Sequence, residues 1–289
     1  MASKTSAVAD EPIEVLFALH PKFNLMDFAG PLEVLTTALH DAKDPTSKAF
    51  EVTLASGEPQ VLSEQGAIIG AQATWKEAYD RLNDFDVLVV LGGNTEAIMK
   101  EKAEPLGLIT AFSELQKNDP SRERTVLSVC TGSLFLAHQG ILSGLSATTH
   151  PDFITTLEIL CSNHVIREGG EHTNVMEDAR YVVNNLRFDL GDEDENPYIR
   201  RKSDAGSVST TGRKGSMSFR SAGRRESIAR RAAMRLGGLR VITSGGVAAG
   251  LDAALYLVSI LVSEESANEV ARFMQLTWTK GVVVDGLDV

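Results

Sequence analysis

The sequence predicts an α/β fold, a doubly wound, mostly parallel sheet flanked by helices, and three observations lead there. Strand-length apolar runs at residues 13–19, 50–55, 86–91 and 124–129 alternate with helical stretches, a rhythm that calls for crossover helices between parallel strands. The first and third of these runs are nearly unbroken in hydropathy, as strands covered on both faces are. The Asp27 loop, the Gly92-Gly93 pair and Cys130 all stand at strand C-termini, where sheets of this kind hold their sites.

Composition narrows the class further. The chain has 289 residues, 43% of them hydrophobic, enough for one large domain with a full core. No apolar run reaches the length of a bilayer span, and residues 1–11 are a polar tail without signal-peptide form. Cys130 and Cys161 are the two cysteines; they show neither metal-ligand spacing nor a disulfide framework, so a reducing cytoplasmic setting is expected. The net charge of −11 hides an asymmetry: residues 200–236 hold eleven Lys/Arg against Asp204 and Glu226. The acidic remainder is a poor surface for nucleic acid.

In order along the chain, residues 13–19 form a first buried strand, followed by a loop and a helix opened by Asp27-Phe28-Ala29-Gly30-Pro31-Leu32-Glu33. Pro31 suits a first helical turn, and Asp27 just before it suits an N-cap or a partner for the helix dipole. Residues 50–55 alternate as a second strand, with a short one at 67–71. Residues 86–91 give the clearest central strand, ending in Gly92-Gly93-Asn94. That glycine pair serves equally as a plain strand–helix turn or as a place where backbone N–H groups hold an oxyanion. An amphipathic helix is expected over 106–117.

Arg124-Thr125-Val126-Leu127-Ser128-Val129-Cys130-Thr131-Gly132-Ser133 then breaks from an apolar run into a helical pattern. This is a strand turning sharply into a helix with Cys130 at the corner, the form of a nucleophile elbow. A free cysteine titrates near ~8.5, and a helix N-terminus can bring it to roughly 3.5–7.5, so a thiolate is expected. A buried cysteine acting as a small hydrophobe fits the same position. His150, before Pro151, stands near the site or serves as a turn residue. A helix is expected from there to Leu160, with Cys161 structural behind it and short strands at Val165-Ile166 and Tyr181-Val182-Val183.

Residues 188–237 change character: an acidic patch, then Ser/Gly/Arg-rich sequence of low hydrophobicity. Such a segment does not form a core and is expected to be a disordered insertion into a single domain over 12–187 and 238–289. Ser203 and Ser227 follow basic pairs suited to basophilic kinases. Order returns with a strand at 239–243, a small-residue turn and helix through Leu261, and an amphipathic helix over 264–278.

These pieces together resemble the ThiJ/PfpI superfamily, with its glutamine-amidotransferase-like, flavodoxin-like sandwich, and within it the isonitrile hydratase group. The resemblance rests on Leu25-Met26-Asp27-Phe28-Ala29-Gly30-Pro31-Leu32-Glu33-Val34-Leu35, on Ser128-Val129-Cys130-Thr131-Gly132-Ser133 and on Thr243-Ser244-Gly245-Gly246-Val247-Ala248-Ala249-Gly250-Leu251-Asp252. It implies Cys130 as nucleophile, Asp27 as its acidic partner and Thr131 lining the site. It also implies Gly92, Gly93 and Gly132 as backbone donors around a small-molecule substrate, with His150 at the rim. The implied activity is a carbon–oxygen lyase reaction, hydration of an isonitrile to an N-substituted formamide without metal or organic cofactor, in a homodimer. Leu91 stands where many relatives have proline, and the insertion matches no named element of the family pattern. Glyoxalase or deglycase chemistry on reactive carbonyls, and non-enzymatic redox sensing at Cys130, are the other activities the resemblance allows.

Overall fold

The computed structural model describes residues 11–185, 199–200 and 235–285. Strand β1 (Ile13–Ala18) leads to α1 (Leu25–Thr37), and β2 (Phe50–Ser56) to a hairpin of β3 (Gln60–Leu62) and β4 (Ile68–Gly70). Next come β5 (Ala73–Thr74) with α2 (Trp75–Asp80), then β6 (Val87–Val90) with α3 (Thr95–Glu101) and α4 (Leu106–Asn118). Strand β7 (Thr125–Ser128) runs into α5 (Gly132–His138), followed by β8 (Ser146–Ala147), α6 (Ile154–Glu168) and β9 (Asn174–Val175). The remaining elements are β10 (Tyr181–Asn185), β11 (Ile199–Arg200), β12 (Arg240–Ser244), α7 (Ala249–Leu261), α8 (Glu264–Phe273) and β13 (Val282–Asp285).

Nine strands make one sheet in the order β11-β13-β10-β12-β7-β6-β1-β2-β5. Neighbours are parallel except β10 against β12. The mostly parallel α/β sandwich expected from the sequence is therefore present. Successive residues of a strand face opposite sides, and β6 shows it. Val87 and Val89 join the core under α1 and α7, whereas Leu88 and Val90 join the core under α4 and α5. Two apolar layers thus grip the sheet and fix where its C-terminal edge stands.

Helices α1 and α7 pack closely because small residues meet there. A side chain at Gly30 would start 3.1 Å from Leu251, and one at Gly250 would start 2.7 Å from Val129 Cγ1. The second contact joins α7 to the residue just before Cys130.

Several boundaries differ from the sequence expectation. Pro31 lies inside α1, whose cap is Asn24: its side chain accepts from the N–H groups of Met26 and Asp27. Asp27 is therefore a first-turn residue and not the cap. Val165-Ile166 is not a strand but the end of α6, which also contains Cys161 and stops before Gly169. Ile166 is 81% exposed, so this apolar pair does not mark a buried strand. The last helix ends at Phe273, and β13 follows it. Arg235 and Leu236, read as part of the insertion, pack on the body: Leu236 is buried, and the Arg235 guanidinium donates to the carbonyls of Gly140, Ile141 and Ser143. Ile199–Arg200 pairs with β13 as an edge strand. The expectation of disorder, with Ser203 and Ser227, otherwise lies outside the described residues.

Because Gly250 leaves no space for a side chain, Gly250→Val is expected to cost about 1–3 kcal/mol of stability through overpacking. Urea unfolding checks this; an unchanged midpoint would show that α7 can move away from Val129.

Candidate active site

At the C-terminal edge of the sheet the loops after β1, β6, β7 and β12 converge. Cys130 follows β7 with φ +57°, a left-handed conformation that costs a residue bearing a Cβ about 1–2 kcal/mol. Its surroundings hold it there. The Cys130 N–H donates to the Gly245 carbonyl at 3.2 Å, and its own carbonyl accepts from Ser133 Oγ at 3.2 Å and Thr149 Oγ1 at 3.1 Å. Gly132 makes the corner possible, because a Cβ there would lie 2.6 Å from the Val90 carbonyl. Its N–H donates to the Val129 carbonyl at 2.9 Å.

Asp27 arrives from the first turn of α1 and is fully buried. A side chain on Gly92 would start 2.7 Å from Asp27 Oδ2 and 2.7 Å from Thr131 Oγ1; only glycine fits between them. Neither carboxyl oxygen has a hydrogen bond of ordinary geometry among the described residues. Burial is accordingly the dominant influence on its acidity, offset by the Cys130 thiol and the Gly92 N–H and reinforced by the Glu64 charge; the carboxyl is pushed up to about 7.

Cys130 departs from the sequence expectation. Burial first and the Asp27 charge second push its thiol up to about 12, against the N–H groups of Thr131 and Val247, which favour the thiolate. Helix α5 has only seven residues, and its positive end does not outweigh desolvation beside a carboxyl. Cys130 therefore rests as a thiol. Cys161, inside α6, is also raised by burial.

The glycine pair turns its donors inward. The Gly92 N–H faces Asp27, the Gly93 N–H donates to Thr131 Oγ1 at 3.0 Å, and the Gly92 carbonyl accepts from the Asn24 N–H at 2.9 Å. Gly93 has φ +98°, and a Cβ there would start 2.5 Å from the Lys22 carbonyl. Thr131 thus supplies an acceptor to the loop and an N–H to the sulfur. Val247, with φ +22°, supplies the second N–H. Its signal in the sequence was the small-residue run between β12 and α7, which gave the resemblance but no residue role.

His150 borders this loop and does not join the pair. Its Nδ1 accepts from the Asp152 N–H at 3.2 Å, its ring meets Phe153 edge-on, and a Cβ on Gly246 would start 2.7 Å from its Cδ2. Asp252 anchors the same loop from behind. Its Oδ2 accepts from Arg180 Nε at 2.8 Å, and the Arg180 carbonyl accepts from the Gly245 N–H at 2.9 Å. Among the described residues no cluster of three or more His, Cys, Asp or Glu is arranged to hold a metal, and no helix is long and apolar enough to cross a membrane.

Fold and corner together define a flavodoxin-like α/β sandwich with a cysteine at its strand–helix elbow and an acid beside it. The chain belongs to the DJ-1/PfpI family, whose model matches residues 13–185. It is 32% identical over 150 residues to the uncharacterized protein in the cpoL 5' region of Streptomyces lividans, covering 52% of this chain and 96% of that one. It is 28% identical over 165 residues to the isonitrile hydratase of Pseudomonas putida, covering 56% of this chain and 64% of that enzyme. Among solved structures, Drosophila melanogaster DJ-1beta has the same fold at 18% identity and TM-score 0.54, over 93% of this chain and all of that one. A THiJ/PfpI family protein from Pseudomonas syringae matches at 18% identity and TM-score 0.53, over 95% of this chain and 81% of that one.

A buried carboxyl that titrates high has a thermodynamic signature. Asp27 ionises near its ordinary value of about 3.9 in the unfolded chain and at about 7 when folded. Its neutral form therefore supports the fold fully below the lower value, and that support is lost as pH rises through the upper one. Asp27→Asn removes this dependence. It is expected to be more stable than wild type at pH 8 by about 2–4 kcal/mol and to lose that advantage near pH 4. Parallel urea curves at the two pH values check this; equal pH dependence in both proteins would show that Asp27 is hydrated.

Proposed function

We propose that the chain is a cysteine-dependent hydratase that converts an isonitrile and water to an N-substituted formamide. The observation that carries this reading is the buried Asp27–Cys130 pair: a carboxyl poised at about 7 beside a thiol whose sulfur faces two backbone N–H groups. The likeness to the Pseudomonas putida enzyme supports the substrate class.

The chemistry asks for one group that alternates between base and acid. Asp27 carboxylate takes the thiol proton as Cys130 Sγ bonds to the terminal isonitrile carbon, and the N–H groups of Thr131 and Val247 stabilise charge on sulfur. The proton passes from Asp27 to that same carbon, leaving a thioimidate, R–N=CH–S–Cys130. Asp27 next takes a proton from a water that adds to the carbon and delivers that proton to the nitrogen, giving R–NH–CH(OH)–S–Cys130. The C–S bond then breaks, sulfur recovers its proton from the new hydroxyl through Asp27, and R–NH–CHO departs. Each turnover consumes one isonitrile and one water.

Because the ionised form of Asp27 starts the cycle, kcat/KM toward a small isonitrile is expected to rise with pH and level off above about pH 7. Asp27→Asn should lower it by roughly 10²–10⁴-fold. The assay is formamide production from a panel of alkyl and aryl isonitriles, run beside methylglyoxal. Turnover of methylglyoxal with no isonitrile hydrated would replace this reading with a deglycase-type one.

A further inference from the structure

His20 is a buried titratable group that the mechanism above does not use. It follows β1, has no exposed surface, and meets Phe135 edge-on with ring centroids 5.5 Å apart. Both ring nitrogens face carbonyls: Nε2 lies 3.2 Å from the Leu91 oxygen, and Nδ1 lies 3.2 Å from that of Pro21. Burial lowers its pKa, so the imidazole is neutral and has a single proton for two acceptors. Pro21 also receives Asn94 Nδ2 at 3.4 Å, so a ring proton on Nε2 gives each of the two carbonyls a donor.

The Leu91 carbonyl belongs to the peptide whose N–H is that of Gly92. In a trans peptide these two groups point in opposite directions. The imidazole therefore stands on one side of this peptide and the Asp27 carboxyl on the other. Donation to a carbonyl polarises the amide and strengthens its own N–H as a donor, and a stronger N–H favours the carboxylate. We propose that His20 is a positioning residue for Asp27, donating from Nε2 to Leu91 so that the Gly92 N–H is held on the carboxyl. The other groups acting on Asp27 are Cys130 from the elbow and Glu64 from the loop between β3 and β4. Those facing His20 are the two carbonyls and the Phe135 ring. This inference deepens the hydratase reading by assigning support to its acid–base group, yet it is tested without isonitrile.

The full chain is alkylated with iodoacetamide between pH 5 and 9, and Cys130 modification is read by mass spectrometry. Interacting groups titrate as a unit, so the first rise in rate reports the Asp27–Cys130 pair. His20→Phe keeps a ring against Phe135 but removes the donor, and is expected to move that rise upward by about 0.5–1 pH unit. His20→Gln restores a donor and is expected to reverse most of the shift. A His20→Phe profile identical to wild type, whatever its melting temperature, overturns the proposal, as does an equal shift in both variants. Nitrogen-15 NMR of wild type gives an answer that needs no variant to fold: a neutral ring protonated at Nε2 is expected, and a proton on Nδ1 overturns the proposal. A protein that hydrates no isonitrile but shows the shift and the Nε2 proton upholds the role of His20 and overturns the hydratase reading alone.

Discussion

Asp27 and Cys130 stand beside each other because everything that would separate them has been removed, and the surrounding backbone is shaped by that removal. Bulk water is kept away, since the carboxyl has no exposed surface. Side-chain bulk is excluded as well, since the space that a Cβ on Gly92 would need is held by Asp27 and Thr131. Desolvation of a carboxylate is costly unless its charge is paired or hydrogen-bonded, and among the described residues both oxygens lack partners of ordinary geometry. The group responds by holding its proton to about 7. The same dryness raises the thiol, so both acidities share one cause.

This arrangement needs chain from beyond the stretch that the family model matches. Residues 13–185 supply Asp27, the glycine pair and the elbow, while the loop after β12 supplies the Gly245 carbonyl that receives the Cys130 N–H and the Val247 N–H that faces the sulfur. Asp252 fixes that loop through Arg180. It also receives the Thr279 N–H at 2.8 Å, and its carbonyl receives Trp278 Nε1 at 3.1 Å. The strained φ of Cys130 is thus maintained by contacts running to the segment just before β13, in keeping with the rule that strain persists only where neighbours over-determine it.

The sequence made the sheet legible because strands buried on both faces read as apolar runs, and it made the site legible because glycines and a cysteine punctuate the ends of those runs. It misled where local pattern and environment diverge. Val165-Ile166 has strand composition, but it completes a helix whose end is open to solvent. Pro31 has first-turn chemistry, but Asn24 caps α1 earlier through its side chain. β13 has a local signal, Gly281 ahead of the β-branched run Val282-Val283-Val284, which a helical reading over 264–278 leaves unused. The acidity of Cys130 was the largest miss. Helix position is visible in a sequence, whereas burial beside a carboxyl brought from over a hundred residues away is a property of the packed molecule.

That miss bears on which chemistry the corner suits. Oxidation to sulfenic and sulfinic acid follows thiolate character and exposure, and an exposed, permanently ionised cysteine would suit a sensor. Cys130 has little exposed surface, and both burial and the Asp27 charge hold its proton in place. A carboxyl that titrates near neutrality can remove that proton only when an electrophile accepts the sulfur's electron pair in the same step. Activation of this kind is conditional on a substrate small enough to enter a closed corner, with its reacting atom at its tip. The terminal carbon of an isonitrile has that form. The ketoaldehyde carbons of methylglyoxal carry oxygen and neighbouring substituents that must also be accommodated, while the N–H groups of Gly92 and Gly93 are already directed at Asp27 and Thr131. The inward turn of those donors therefore favours a substrate that needs its charge stabilised at sulfur over one that needs an additional hole for a carbonyl oxygen.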